Sequence, residues 1–304
     1  MKKVTMKNIA ELANVSVATV SYILNNVSNQ SIPQETRERV IEIAKNLNYV
    51  PNLAARSLVK QKTGLIGILV NREMNQGFWR NLQYAQFISE LEGLLTKSGY
   101  HVVLSSLDAS NPNPQIIMER KLDGVFLIDA NEDTFYHISK QFPAVPLVVI
   151  DSVIDDPLFF KVLPDFERAL DKAKQLVGTN PYFLVIEQFN NKQLAKKLKI
   201  ESNLDEDQIS MVKNEQELAL FLGKHKGKKG IFVNEFVASL ATKYFTPDDM
   251  IVICTAECPT ILQPSIQKIT FNLSKSLASF EVMKKLIQNN HLVDLEKYIL
   301  LDVK

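Results

Sequence analysis

Ten glycines, two cysteines, four histidines and one tryptophan in 304 residues leave little room for several kinds of chemistry. A phosphate cradle needs glycines in fixed order, and neither G-x-G-x-x-G nor a Walker-type loop occurs. There is no G-x-S-x-G elbow and no H-E-x-x-H, so neither a hydrolase nucleophile nor a helical zinc pair is spelled out. Cys254 and Cys258 form a C-x-x-x-C arrangement on or just after an apolar strand. Zinc would need two further ligands, and His101, His137, His225 and His291 all lie far away in sequence, which favours buried thiols with no metal and no cofactor. Asp155-Asp156, Asp205 to Asp207 and Asp248-Asp249 fall in turn-like stretches where Asp is ordinary, so no catalytic set can be named. No apolar run approaches the roughly 18 residues of a membrane span, and Met-Lys-Lys-Val lacks the apolar core of a secretion signal. The expectation is a cytoplasmic protein with no membrane partner.

Near-balance of charge conceals an asymmetry. The 35 basic and 34 acidic side chains give +1, yet residues 1–62 hold nine basic and four acidic groups, a net of +5, so the remainder carries −4. A cationic end suits phosphate contact, and the acidic remainder does not.

That cationic end reads as two short helices and a tight turn, T-M-K-N-I-A-E-L-A-N-V-S-V-A-T-V-S-Y-I-L-N. Thr5 is placed to cap the first, in which Ile9, Ala10, Leu12 and Ala13 recur at helical spacing. Ser16, after Val15, caps the second. Val20, Ile23 and Leu24 point toward a small core, leaving Val17, Ala18, Thr19, Ser21 and Tyr22 on an outer face small enough to approach bases and phosphates. A third helix is announced by Pro33 and continues through Thr36, Arg37, Val40, Ile43, Ala44 and Leu47. The spacing predicts a helix-turn-helix.

This stretch resembles the N-terminal domain of the lactose/galactose-repressor family. The family's Ala-x-x-Ala-x-Val-Ser-x-x-Thr-Val-Ser pattern is met by Ala10, Ala13, Val15, Ser16, Thr19, Val20 and Ser21, with Asn25 closing the recognition helix. Asn48-Tyr49-Val50-Pro51-Asn52 is similar to its NY-x-PN junction, and Ala54-Ala55-Arg56-Ser57-Leu58 to its hinge helix. The resemblance implies a homodimer on a palindromic double-stranded DNA operator, contacted through Thr5, Lys7, Ser16, Val17, Ala18, Thr19, Ser21, Tyr22, Asn25 and Arg37. It also implies a hinge with Asn52, Ala55, Arg56 and Leu58, in which Leu58 wedges into the minor groove. Two departures bear on the operator: the loop Asn26 to Ile32 is about two residues longer than in familiar members, and Tyr22 stands where several carry a basic residue or histidine.

Beyond the hinge, apolar runs alternate with helical patterns, which predicts α/β architecture with parallel sheets covered on both faces. Strands are expected at Leu65 to Val70, Val102 to Ser105, Gly124 to Ile128 and Leu147 to Ile150, with helices near Leu82 to Ser98, Pro114 to Lys121 and Thr134 to Gln141. These make one lobe. A second would use strands at Phe160 to Leu163, Tyr182 to Ile186, Ile209 to Val212, Gly230 to Val233 and Met250 to Cys254, with helices at Phe166 to Val177, Glu215 to Lys224 and Glu235 to Tyr244. Ser274 to Gln288 returns to the first lobe and Lys297 to Val303 closes as a strand. The order resembles the family's periplasmic-binding-protein-like core. The expected division is a helix-turn-helix domain at 1–50, a hinge at 51–62 and a two-lobed core at 63–304, with lobe one at 63–150 and 267–291 and lobe two at 151–266 and 292–304.

The resemblance places a ligand between the lobes. Leu65-Ile66-Gly67, Gly99-Tyr100, Asp123-Gly124-Val125 and Ile150-Asp151 match family landmarks, and counting back from Gly99 sets Asn81 and Tyr84 where the family walls its pocket. Phe78 and Trp79 either stack on a ligand or form a buried aromatic pair. In lobe two the resemblance thins: Glu187-Gln188-Phe189-Asn190-Asn191-Lys192 has no Arg where the family clamps its ligand, Phe166 replaces the Asn of the D-N pair begun by Asp165, Asn234-Glu235 replaces a polar pair, and Glu257 approximates a family Asp. Phe78, Trp79, Tyr84, Asp165, Asn190, Asn234 and Glu257 are the candidate ligand residues; the bland alternative for each polar one is a solvated loop. Losing a guanidinium fork argues against an ordinary monosaccharide, since sugar hydroxyls need bidentate polar partners. The expected function is a repressor of carbohydrate uptake or metabolism genes modulated by a sugar or sugar derivative, not an enzyme. The alternatives are a purine-type or other non-sugar effector, or a sugar-processing enzyme on a similar scaffold.

Overall fold

In the computed structural model, which describes residues 4–24, 30–47, 49, 62–73, 76–114, 117, 119–288 and 296–304, the chain divides into two units, Met1–Thr63 and Gly64–Lys304. The expected hinge at 51–62 lies outside the described residues except for Lys62.

Unit one contains α1 (Met6–Ala13), α2 (Val17–Leu24) and α3 (Gln34–Asn46). Thr5 begins α1 by donating its backbone N–H and its hydroxyl to Asn8 Oδ1 at 3.0 and 2.8 Å. Asn14 ends it in the left-handed region (φ 53°), a conformation an Asn tolerates better than most residues. Two residues later Ser16 Oγ accepts the Thr19 N–H at 3.0 Å and opens α2, so the turn is held at both ends. Ile9, Ala10, Ala13, Val20, Ile23, Val40 and Ala44 form the buried core. Leu12 does not join it and is 62% exposed. At about 100° per residue it lies roughly 110° from the centre of the stripe made by positions 9, 10 and 13.

Unit two holds two parallel sheets. The first is ordered β11-β5-β4-β3-β1-β2, from β1 (Leu65–Arg72), β2 (His101–Asp108), β3 (Gly124–Ile128), β4 (Leu147–Ile150), β5 (Phe160–Pro164) and β11 (Tyr298–Leu301). The second is ordered β10-β9-β8-β6-β7, from β6 (Tyr182–Glu187), β7 (Ile209–Val212), β8 (Lys229–Val233), β9 (Met250–Ile253) and β10 (Gln267–Ile269). Every residue of β3, β4, β5 and β9 is buried, Lys161 of β5 among them, as strands covered by helices on both faces require. Those helices are α4 (Phe78–Lys97), α5 (Glu132–Ser139), α6 (Phe166–Val177), α7 (Lys192–Ser202), α8 (Glu215–Lys224), α9 (Glu235–Ala241) and α10 (Lys275–Ile287).

Three assignments of the two lobes need correction. The strand at 160–163 and the closing strand at 297–303, both expected in lobe two, belong to the first sheet: β5 pairs with β4 and β11 with β5. Residues 267–269, expected in lobe one, pair with β9 in the second sheet. The chain therefore passes between lobes after β5, after β10 and again beyond β11, where Phe271 and Val303 form an antiparallel bridge. Nothing in the side chains of a fully buried strand names its neighbour; pairing does. Helix α4 also starts four residues before the expected Leu82, α9 ends at Ala241 rather than Tyr244, and α7 was not expected. Its Leu194, Ala195 and Leu198 are buried at helical spacing, a signal diluted by four lysines in eleven residues. The expected helix at Pro114 to Lys121 falls partly outside the described residues, although Ile117 is buried.

Candidate functional site

Two constellations stand out, one in each unit. On α2, burial of Val20 and Ile23 leaves Val17 (45% exposed), Ala18 and Tyr22 (38%) outward, with Thr19 and Ser21 half-buried. Helix α2 is a short rod that presents small apolar and hydroxyl groups from a capped N-terminus, the form in which a recognition helix enters a major groove. Thr5 and Lys7 are exposed on and before α1. Arg37, expected at phosphate, is half-buried and donates to the carbonyls of Ile32 (3.4 Å) and Gln30 (3.3 Å), so it braces the loop ahead of α3. Asn25, Asn52, Ala55, Arg56 and Leu58 lie outside the described residues.

The second constellation gathers at the carboxyl ends of the strands, the place where parallel α/β sheets bind ligands. Asn71 lies near the end of β1, Asp129 follows β3, Asp151 follows β4, Glu187 ends β6 and Asn234 follows β8. Asp129, Asp151 and Asn234 have positive φ (55°, 52° and 88°), turning each chain sharply as it leaves its sheet. Into this ring of acids and amides α4 sends Arg80 from its first turn. The guanidinium, 1% exposed, pairs with Asp129 of the first lobe, lies 3.1 Å from Glu187 of the second, and donates to Tyr84 Oη (2.9 Å) and Gln83 Oε1 (3.3 Å). Tyr84 in turn donates to Asp129 Oδ2 at 2.8 Å. The rings of Tyr84 and Phe189 lie 5.0 and 5.2 Å from the Arg80 carbon centre. Asn234 donates to Gln83 and Glu187, both at 3.2 Å, while Asn190 donates to the carbonyl of Asn71 (3.0 Å) and its N–H reaches Asp129 (3.3 Å).

Burial holds the carboxyls of Asp129 and Glu187 above their ordinary values, with Arg80 opposing that rise only in part. For Arg80 itself burial acts downward, but the two carboxylates outweigh it and hold the guanidinium well above its ordinary value. An uncompensated carboxylate here would be costly: removing one member of a buried ion pair typically destabilises by about 3–5 kcal/mol. The network is nonetheless incomplete. Glu187 Oε1, Arg80 Nε, Trp79 Nε1 and both amide atoms of Asn71 are buried without a hydrogen-bond partner, each a loss of about 1–3 kcal/mol if left so.

A second buried charge lies nearby in the fold. Lys275, at the start of α10, puts its ammonium 2.5 Å from Asp151 and 3.4 Å from the Thr255 carbonyl, and its backbone N–H donates to Glu257. This ties the first lobe to the loop after β9.

The candidate ligand residues divide accordingly. Tyr84, Asn190 and Asn234 are brought together around Arg80. Asp165 instead caps α6, accepting the Arg168 N–H at 3.1 Å, and Glu257 (φ 60°) belongs to the Lys275 cluster. Phe78 is 54% exposed beside a hollow of about 580 Å³ shared with Gln76, Lys213 and Glu215, whereas Trp79 is buried among Phe183, Val185 and Val237 of the second lobe. Gly77 permits this, since a Cβ there would stand 2.2 Å from the indole. Sequence reading did not place Asn71, Gln83, Asp129, Glu187 or Lys275. The available signal was Asp or Asn just after an apolar run, as in Ile128-Asp129 and Val233-Asn234.

Residues 5–52 match the family described as bacterial regulatory proteins, lacI family. The sucrose operon repressor of Klebsiella pneumoniae is 35% identical over 170 residues, covering 50% of this chain and 49% of its own length. Residues 5–52 are thus a lacI-family segment. Catabolite control protein A of Staphylococcus epidermidis is 30% identical over 176 residues, covering 57% of this chain and 51% of the relative. The chain thus spans about half the length of the curated relatives it matches. A lac repressor dimer solved on its operator with an anti-inducer aligns with 100% of this chain and 97% of its own at a TM-score of 0.73 and 18% identity, so the two share a fold. No helix among the described residues is long and apolar enough to cross a membrane.

Proposed function

We propose that this chain is a lacI-family, sequence-specific DNA-binding transcription regulator, a cytoplasmic homodimeric repressor of carbohydrate uptake or metabolism genes that a small molecule modulates through the interlobe cleft. The observation that carries this reading is the capped α2 with its exposed Val17, Ala18 and Tyr22, inside the 48 residues that match the family. A carbohydrate role is supported by relatives named for the sucrose operon and for catabolite control. In this reading Val17 and Ala18 meet base edges, Thr5, Lys7, Ser16, Thr19, Ser21 and Tyr22 serve phosphates or neighbouring edges, Arg37 supports them indirectly, and Asn25 with the hinge residues Asn52, Ala55, Arg56 and Leu58 completes the contact. A non-sugar effector is the second reading, favoured by the guanidinium that already fills the cleft.

Selection of binding sites from random duplexes, followed by mobility shifts with the full chain, tests the proposal. A palindromic site bound in the nanomolar range with steep salt dependence is expected. Replacing Val17 and Ala18 together should change the preferred bases, while Lys7→Gln should weaken all sequences and lower the salt slope by about one. Absence of any preferred sequence would defeat the reading.

A further inference from the structure

The position of Arg80 has a chemical consequence for the cleft. Its guanidinium bridges the lobes, with Asp129, Gln83 and Tyr84 on one side and Glu187 and Phe189 on the other. Two carboxylates at the edges, two aromatic rings near the carbon centre and an amide oxygen in reach make the usual environment of a bound guanidinium. Here the occupant is covalently part of the chain.

We propose that Arg80 is the resident ligand of the interlobe site, latching the two lobes together, and that a diffusible molecule entering the site must carry a guanidinium or primary ammonium group to take its place. A neutral polyol cannot do so, because expelling Arg80 leaves Asp129 and Glu187 facing each other in a site where both are fully buried. Binding would have to repay the desolvation of two carboxylates with hydroxyl donors alone. A cation restores the charge balance. One with further N–H groups also donates to the unpartnered Glu187 Oε1 and Asn71 Oδ1, which the tethered arginine leaves unsatisfied. The inference rests on reading the cleft as the regulatory site, and it explains why no arginine is required after β6: position 187 holds the acid that receives one from α4 instead.

The test is thermal unfolding of the full chain, wild type and Arg80→Ala, with methylguanidinium, agmatine, glucose and sucrose, none of which needs DNA. Arg80→Ala should lower the melting temperature of the core by roughly 6–15 °C. Methylguanidinium or agmatine at about 10 mM should recover about half of that loss in the variant, and the two sugars none of it. An unchanged melting temperature in Arg80→Ala, recovery by sugars instead of the cations, or a micromolar dissociation constant of a neutral sugar for the wild type would each overturn the proposal. Should Arg80→Ala yield no soluble protein, Arg80→Lys is read the same way: an ammonium reaches fewer of the partners, so a smaller fall is expected, and no fall again overturns it. The outcomes separate from those of the DNA assays. Loss of rescue with intact site-specific DNA binding removes the latch alone, and rescue without DNA binding removes the regulator reading alone.

Discussion

The two units keep their function-bearing side chains in opposite environments. In Met1–Thr63 the candidate base contacts Val17, Ala18 and Tyr22 are outward, while among the described residues seven buried apolar side chains from three helices form the core, so recognition and stability reside largely in different side chains. In Gly64–Lys304 the charged candidates, Arg80, Asp129, Glu187 and Lys275, are themselves interior, so changing the site means changing the fold's own contacts. An exposed reading head can vary freely; a buried polar network cannot, since each member left alone pays desolvation.

The sharpest way to test that contrast is in the core. Lys275→Ala leaves Asp151 buried without its ammonium and should destabilise the second unit by about 3–5 kcal/mol, which differential scanning calorimetry would show as a melting transition lowered by roughly 6–15 °C. An unshifted transition would mean that the buried charges of the core are as dispensable as surface ones. Next comes Ile9→Ala. Ile9 is fully buried, and its truncation should cost about 2–5 kcal/mol, enough to unfold a domain of this size while the core transition stays in place. Circular dichroism would show a separate loss of helical signal, and DNA binding should disappear with it. If both units melt together at the lower temperature, they do not behave as separable bodies.

Ser16→Ala removes the hydroxyl that accepts the Thr19 N–H and should cost about 1 kcal/mol, seen as a small fall in the melting temperature of the first unit. Smallest of all, Val17→Ala and Tyr22→Ala should stay within about 0.5 kcal/mol of wild type in chemical denaturation, because neither side chain is buried. A larger loss at Val17 would break the separation of reading from folding on which the comparison rests.

The same contrast governs what could be read in advance. In the first unit the caps are local: Thr5 meets Asn8, Ser16 meets Thr19, and the inward rows recur every three or four residues, so spacing and cap chemistry disclose the helices and their faces. Only the exposure of Leu12 and the turning of Arg37 toward Ile32 and Gln30 needed three dimensions. In the second unit the apolar runs disclosed ten of the eleven described strands, β2 only in part, but not β10 and not the partners of β5 and β11. Asp165 followed the family pattern and proved to cap a helix, whereas Asp129, 49 residues from Arg80, became its closest partner.

Sequence by itself therefore determined the helix-turn-helix, the polarity of charge along the chain and the α/β character of the core, because caps, periodicity and continuous apolar runs act over a few residues. Tertiary structure alone decided which strands share a sheet and which charges share the cleft. Parallel pairing and buried ion pairing both join residues dozens of positions apart, as Gln83 and Asn234 are across the lobes, and their free energy depends on desolvation that exists only once the chain has closed around them.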